Sequence, residues 1–476
     1  MLRESGFEPS FGADVEHQVA SLGSANPAGP ALSTGAADLR ALHWSSIDNT
    51  ESRDLDQVEV AESLAGGDIR VRVGIADVDV LVPRGSPMDV HAQANATSVY
   101  TGVEVFPMLP ERLSTDLTSL AEGQERLAII VDFVIASDGT EKSHDVYRAV
   151  VQNHAKLAYD DVGAWLDGGQ APAKVQHSSV LLDQLHLQHE ASDRLEAMRD
   201  RAGALELDTI EATPVARNGH IVDLAVVRKN RARELIENFM ISANVAIAVF
   251  LEEHGASGIR RVVRAPERWS RIVELAAKTG DVLPTEPDSP SLARFLAKRR
   301  AADPDRFPDL SLAIVKLLGP GEYALDRPGK DPGGHFGLAA HDYSHATAPN
   351  RRYADLVTQR LVKAVLARES APYTDDDLTG IAKRCTERED AARKVERTMR
   401  KVAAALLLSS RIGETFRGIV TGVNRNGTFV RLLTPPAEGR VVRHQEGMDV
   451  GEYVQVRLIG TDADKGWIDF EGVRRS

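Results

Sequence analysis

Three aspartates, Asp48, Asp54 and Asp56, share the short segment Ile47-Asp48-Asn49-Thr50-Glu51-Ser52-Arg53-Asp54-Leu55-Asp56. In an extended loop alternate side chains point the same way, so Asp54 and Asp56 face one side, and a fold back of the intervening residues can bring Asp48 alongside. Three hard oxygen donors suit magnesium or manganese. Carboxylates crowded this closely repel one another, and a divalent cation with a substrate phosphate is the usual compensation. The chemistry of such a set is metal-assisted, in-line attack of water on a phosphodiester.

Other readings of the segment are weaker. Asp48 and Glu59 have the first-to-last spacing of a calcium-binding EF-hand loop, but Arg53 occupies the position that needs glycine, and Thr50 and Ser52 replace ligand acids. A phosphatase pair at Asp54 and Asp56 would want an apolar strand leading into the first aspartate, and residues 49–53 are polar. A polar acidic loop is also more often plain solvated surface. Its context has to decide.

The chain has 476 residues, 42% hydrophobic and 27% charged, the composition of folded, water-soluble domains. A net charge of -13 excludes a protein that coats nucleic acid through general basicity. Basic residues nevertheless gather at 228–233, 260–271, 351–360, 393–401 and Arg474-Arg475, whereas acids gather at 48–62, a separation that could guide a polyanion to an acidic site. The lone cysteine, Cys385, excludes an internal disulfide framework, and without a Cys/His cluster no structural zinc site is expected. The amino terminus lacks an apolar signal and the apolar runs are too short to span a bilayer, so a cytoplasmic protein with no membrane role is expected.

The elements that must position the aspartates divide the chain in three. Residues 1–36 read as a short helix and a Gly/Pro/Ser linker, a weak appendage. Residues 37–410 begin with β-type runs at 69–75, 127–135 and 146–152, and beyond 158 turn helical, with helices predicted at 192–204, 231–254, 353–368 and 383–410. This is an α+β pattern, a mixed sheet backed by helices. Residues 411–476 carry five short strands at 415–423, 428–433, 439–443, 453–459 and 466–470, which suggests a small all-β barrel.

Two strings carry a resemblance. The first runs from Ile75-Ala76-Asp77-Val78 through Thr97-Ser98-Val99-Tyr100 to Phe106-Pro107-Met108-Leu109-Pro110, and the second is Tyr343-Ser344-His345-Ala346-Thr347-Ala348-Pro349-Asn350-Arg351-Arg352-Tyr353. Together they resemble the ribonuclease II (RNB) catalytic domain. The barrel resembles an S1 RNA-binding domain, an OB-fold, in Gly418-Ile419-Val420-Thr421-Gly422-Val423-Asn424-Arg425-Asn426-Gly427-Thr428-Phe429-Val430. The resemblance implies a monomeric enzyme that hydrolyses single-stranded RNA processively from the 3′ end to nucleoside 5′-monophosphates, with Mg2+ or Mn2+.

Carried over by position, Asp48, Asp54 and Asp56 match three of the family's four active-site aspartates, the last acting on the hydrolytic water. Gln57 stands where the fourth acid is expected, offering an amide oxygen but no charge. Arg351 matches the arginine that holds the scissile phosphate, although on a helix it would also reach Asp355. Tyr100 matches an aromatic that stacks on bases, Tyr159 and Glu237 match positions that distinguish ribose from deoxyribose, and Glu396 aligns with a glutamate near the RNA channel. Phe416 and Phe429 are placed like base-stacking aromatics or as barrel core. Many relatives carry cold-shock barrels before the catalytic domain, which 36 residues cannot hold. The competing reading is a catalytically weakened RNA-binding or regulatory protein that uses the S1 barrel, its site disabled at Gln57.

Overall fold

The computed structural model describes residues 1–23, 28–33, 35–208, 210–217, 220–227, 229–304, 306–425 and 427–473. Linker positions 24–27, Arg228, Asn426 and the pair Arg474-Arg475 lie outside them.

Long apolar runs dictate the central sheet. Its strands are β1 (Ala37–Asp38), β2 (Ser45–Asp48), β3 (Gln57–Ser63) and β4 (Ile69–Ala76), then, after a small hairpin of β5 (Val99–Tyr100) and β6 (Val105–Phe106), β7 (Glu125–Ile135), β8 (Glu141–Gln152) and β9 (Ala155–Ala158). The seven strands are ordered β1-β8-β7-β4-β3-β2-β9. Most neighbours are antiparallel, but β1 pairs with β8, and β2 with β9, in parallel. β7 is buried on both faces along most of its length, as a strand covered on both sides must be.

Helices Ser179–Ala202 and Arg231–Glu253 cover one face, knitted together by Asn238 Nδ2 donating to Ser192 Oγ at 2.7 Å. The second is long and apolar enough to cross a membrane by composition, yet most of it is buried in the core. The opposite face centres on Trp44, fully buried, with its indole N–H donating to Leu39 O at 2.8 Å. Gly74 on the same face is closely packed: an added Cβ would lie 3.1 Å from Val58 and 3.3 Å from Ile130.

Helix Tyr353–Ala367 is pinned to the end of β4, where Gln359 Nε2 donates to Ala76 O at 2.6 Å and Gln359 Oε1 accepts from Val78 N at 3.2 Å. A capping box at Thr374 and Asp377 starts the 34-residue helix Asp375–Leu408, roughly 50 Å long at 1.5 Å per residue. A hairpin of β10 (Glu211–Arg217) and β11 (His220–Val227), and a long-range antiparallel pair of β12 (Gly258–Val262) and β13 (Glu322–Asp326), interrupt the region predicted to turn helical. Their strands are short, and their partners either lie across a turn or far along the chain.

The carboxy-terminal strands β14 (Thr415–Asn424), β15 (Gly427–Leu432), β16 (Glu438–Arg443), β17 (Tyr453–Asp462) and β18 (Trp467–Gly472) close into a barrel, as predicted. Val420, Val430, Leu432, Val456, Leu458 and Phe470 fill it, and Leu224 of β11 packs into the same cluster. The architecture is α+β, a mixed sheet with helices followed by an OB-type barrel.

The amino-terminal segment departs from expectation. Phe7 and Val15 are buried, Glu8 N donates to Asn95 Oδ1 at 2.8 Å, and Val15 belongs to the main core. Residues with so few apolar neighbours in sequence looked like an appendage, but a few buried anchors are enough to dock them. Helix Ser179–Ala202 likewise begins well before the predicted residue 192, because Leu181 and Leu185 bury among polar neighbours that mask the period.

Candidate active site

The acidic loop joins β2 to β3 and is strapped from both sides. Leu55 N donates to Ser119 Oγ at 3.1 Å, Ser119 Oγ donates to Arg53 O at 2.6 Å, Leu120 N donates to Leu55 O, and Ala76 N donates to Asp56 O. Lys156 Nζ donates to Thr50 O at 2.9 Å. The polar segment is therefore a rigid turn at the end of the sheet.

Asp48 ends β2, where its Oδ1 accepts from Asn49 N at 2.6 Å and Ser52 Oγ at 2.7 Å. Asp54 is half-buried, and its carboxyl is pushed up by burial and by the Asp48 charge, against a pull from Arg351. Asp56 is 4% exposed. Burial raises its pKa to about 7, although Arg351 and the Asn350 donors lower it. Gln57 opens β3 opposite Ile75 and is buried, with no carboxylate to add.

Arg351 reaches the cleft because its neighbour takes the competing partner. Arg352, not Arg351, pairs with Asp355, through Nε at 2.9 Å and a second guanidinium nitrogen at 2.6 Å. Arg351 Nε lies 3.8 Å from Asp56 Oδ2, with 45% of its side chain exposed. The backbone there is clamped to the first signature string: Ser98 N donates to Arg351 O at 3.0 Å, Tyr353 N to Ala96 O, and Met108 N to Ser98 Oγ at 2.8 Å. Strings far apart in sequence form one wall.

Tyr100 stands on that wall. Its side chain lies near Arg351, Asp54 and Asp56, and burial first, then the two carboxylates, push its hydroxyl up to about 12. Tyr100 N donates to Glu396 Oε1 at 2.9 Å, so the structure brings Glu396 to this hairpin. Tyr159, at the start of helix Tyr159–Leu166, lies under the Arg233 guanidinium at 4.4 Å, and burial, Asp48 and Glu59 raise its pKa. Glu237, one turn beyond Arg233, is exposed and pairs with Lys229 at 3.2 Å, beside a pocket it shares with Arg199 and Glu196.

In the barrel Phe416 is 6% exposed and belongs to the core, its ring capped by Arg411. Its reading as a stacking aromatic is corrected: alternation on β14 turns it inward. Phe429 is half-buried.

Several residues here carried no sequence signal. Asn350 is buried against Asp56, and Arg233 donates to Asn49 Oδ1 at 3.1 Å. Glu59, two residues beyond Gln57, is wholly buried with neither carboxylate oxygen partnered, and burial, then Asp48, push its pKa well above the ordinary range. Asn350 lies inside a quoted string and Glu59 inside an apolar strand, but nothing in the sequence shows what either side chain meets.

Among the described residues no three His, Cys, Asp or Glu side chains converge into a complete metal shell. The donor set still fits a hard divalent cation. The Asp48 charge raises the pKa of Asp54, that of Asp54 raises the pKa of Asp56, and Arg351 is the cation that lowers both. Phosphate and water oxygens would have to complete the shell.

The family profile described as the RNB domain matches residues 36–368, and that of the RNase II-type exonuclease C-terminal S1 domain matches residues 414–473. The chain is 29% identical to Ribonuclease R 1 of Lactococcus lactis over 92% of its own length, and 30% identical to Ribonuclease R of Vibrio cholerae over 98%. It spans 56% and 60% of the length of these two relatives. Its fold matches Mycoplasma genitalium RNase R in complex with ribose-methylated single-stranded RNA, at TM-score 0.89 and 22% identity over 99% of this chain and 76% of that one. It also matches yeast Ssd1, a pseudonuclease, at TM-score 0.69 and 18% identity over 86% of this chain and 50% of that one, so the fold alone does not separate active from inactive members. With most of its length inside the RNB match, the chain belongs to the RNB-domain family and carries that family's RNase II-type S1 barrel.

Proposed function

We propose that the protein is a hydrolytic exoribonuclease that degrades single-stranded RNA processively from the 3′ end to nucleoside 5′-monophosphates. The observation that supports this most is the joining of Asp54, Asp56 and Arg351 under Tyr100, with Asp48 at the neighbouring strand end. An acidic pocket that also holds one arginine suits a phosphodiester better than it suits a free cation. Arg351 binds the scissile phosphate, Tyr100 stacks on a base near the 3′ end, and Asp56 holds the attacking water. Asp48, Asp54 and Asp56, with the Gln57 amide oxygen, would hold Mg2+ or Mn2+, which when bound supplies Lewis acidity at the phosphate. Tyr159 and Glu237 are assigned to recognition of the ribose, and a carboxylate that accepts from a 2′-hydroxyl gives preference for RNA. The barrel, through Phe429 and its basic strands, gathers the strand. The protein works as a monomer in the cytoplasm.

Gln57 favours a second reading, an RNA-binding protein with a weakened site. Incubating the protein with 5′-labelled single-stranded RNA and DNA, with Mg2+, Mn2+ or chelator, separates the two. Conversion of full-length RNA, and not DNA, to a short 5′-labelled end product with few intermediates supports the enzyme. RNA left intact under every metal condition sinks it, and equal DNA cleavage sinks the ribose assignment.

A further inference from the structure

Asp56 has two carboxylate oxygens, and consecutive residues of one loop face them. Oδ1 accepts from Asn350 Nδ2 at 2.9 Å and from Asn350 N at 3.2 Å. Oδ2 lies 3.8 Å from Arg351 Nε. Asn350 is 1% exposed and Asp56 4%, so no bulk water competes for Oδ1.

The orientation of the Asn350 amide follows from its surroundings. A carboxylate only accepts, so the NH2 end must face Asp56, and the amide oxygen then faces Thr118. Thr118 Oγ1 lies 2.7 Å from Asn350 Oδ1 and 2.8 Å from Leu113 O. Leu113 O, which has two lone pairs, also accepts from Thr118 N at 3.0 Å, and the single hydroxyl proton is shared between Leu113 O and Asn350 Oδ1. Thr118, Asn350 and Asp56 thus form a directed chain of hydrogen bonds ending on one oxygen.

We infer that Asn350 is a positioning residue for the hydrolytic step: it fixes the Asp56 carboxylate so that Oδ2 alone is presented to the phosphate and water held by Arg351. A carboxylate torsion is broad and nearly two-fold, and an aliphatic side chain at 350 would leave Oδ1 with one long backbone bond and the group free to turn. Asn350 touches neither substrate nor reacting atoms, and acts through Asp56. The inference rests on the exoribonuclease reading above.

The test is Asn350→Leu, which keeps the branching at Cγ and removes the donor. One hydrogen bond to a charged group sets the expected scale, a fall in kcat on single-stranded RNA of about tenfold to a hundredfold. KM, RNA affinity measured in chelator, and the melting temperature within a few degrees should all hold. Thr118→Val, which lets the amide turn but leaves it in place, should lower kcat severalfold with KM again unchanged, and it decides the question if Asn350→Leu does not accumulate as folded protein. An active wild type whose kcat neither variant lowers, or variants that raise KM and leave kcat alone, would overturn the role of Asn350 only. A wild type inactive on RNA would overturn this inference together with the exoribonuclease reading.

Discussion

Replacing Asp56 by asparagine should make the metal-free protein more stable, and by an amount that depends on pH. The carboxyl is held at about 7 in the folded protein against an ordinary 3.8, chiefly by burial. A gap of about 3 units at 1.36 kcal/mol each gives roughly 4 kcal/mol. Because the folded-state value is raised, the native protein keeps a proton between pH 4 and 7 that the unfolded chain has released. Wild type therefore loses stability as pH climbs through that window, and loses no more above it. Asp56→Asn keeps the shape and an oxygen for Asn350 but does not ionise, and groups that do not interact with Asp56 titrate in both proteins and cancel in the difference. Urea denaturation in chelator, followed by intrinsic fluorescence at pH 5, 6, 7 and 8, should show the variant gaining on wild type up to a plateau near pH 8. Added Mn2+ should close the gap, because it stabilises the charged site only where Asp56 is present. A difference that is the same at every pH would refute the reasoning: Asp56 would then be ionised in the fold at ordinary pH, and burial would not govern it.

Gln57→Asp adds a fourth carboxylate to the site and should tighten Mg2+ or Mn2+ binding about tenfold or more, read by calorimetry; unchanged metal dependence would mean that position 57 matters little here. Arg351→Ala should lower kcat/KM on single-stranded RNA by about a hundredfold to a thousandfold, with Arg351→Lys intermediate because it keeps the charge but not the planar fork. Equal rates for Lys and Arg would show that charge alone acts there. Glu59→Leu should stabilise the protein by about 1–3 kcal/mol near pH 8, since both carboxylate oxygens are buried without partners. Its raised pKa places that gain above the ordinary glutamate range and removes it towards pH 4, so denaturation at the two pH values checks it.

The sequence by itself determined the parts that depend on local pattern. Periodicity marked three of the seven strands of the sheet (β4, β7 and β8), parts of the helices that back it and the five strands of the barrel, because apolar spacing is written residue by residue. Residue type and spacing marked Asp48, Asp54 and Asp56 as acids able to share a cation, and the two signature strings supplied Arg351 and Tyr100. Tertiary structure alone decided which atoms meet. Phe416 and Phe429 looked alike as barrel aromatics, but only closure of the barrel turned the first inward. Arg351 and Arg352 both stood within one helical turn of Asp355 in sequence, and the turn before helix Tyr353–Ala367 gave Asp355 to Arg352, leaving Arg351 for Asp56. Asn350 carried no signal, because its partner Asp56 lies 294 residues away. Spacing along a chain fixes which way neighbouring side chains point, whereas hydrogen-bond partners across such separations exist only once the whole sheet and its helices have packed.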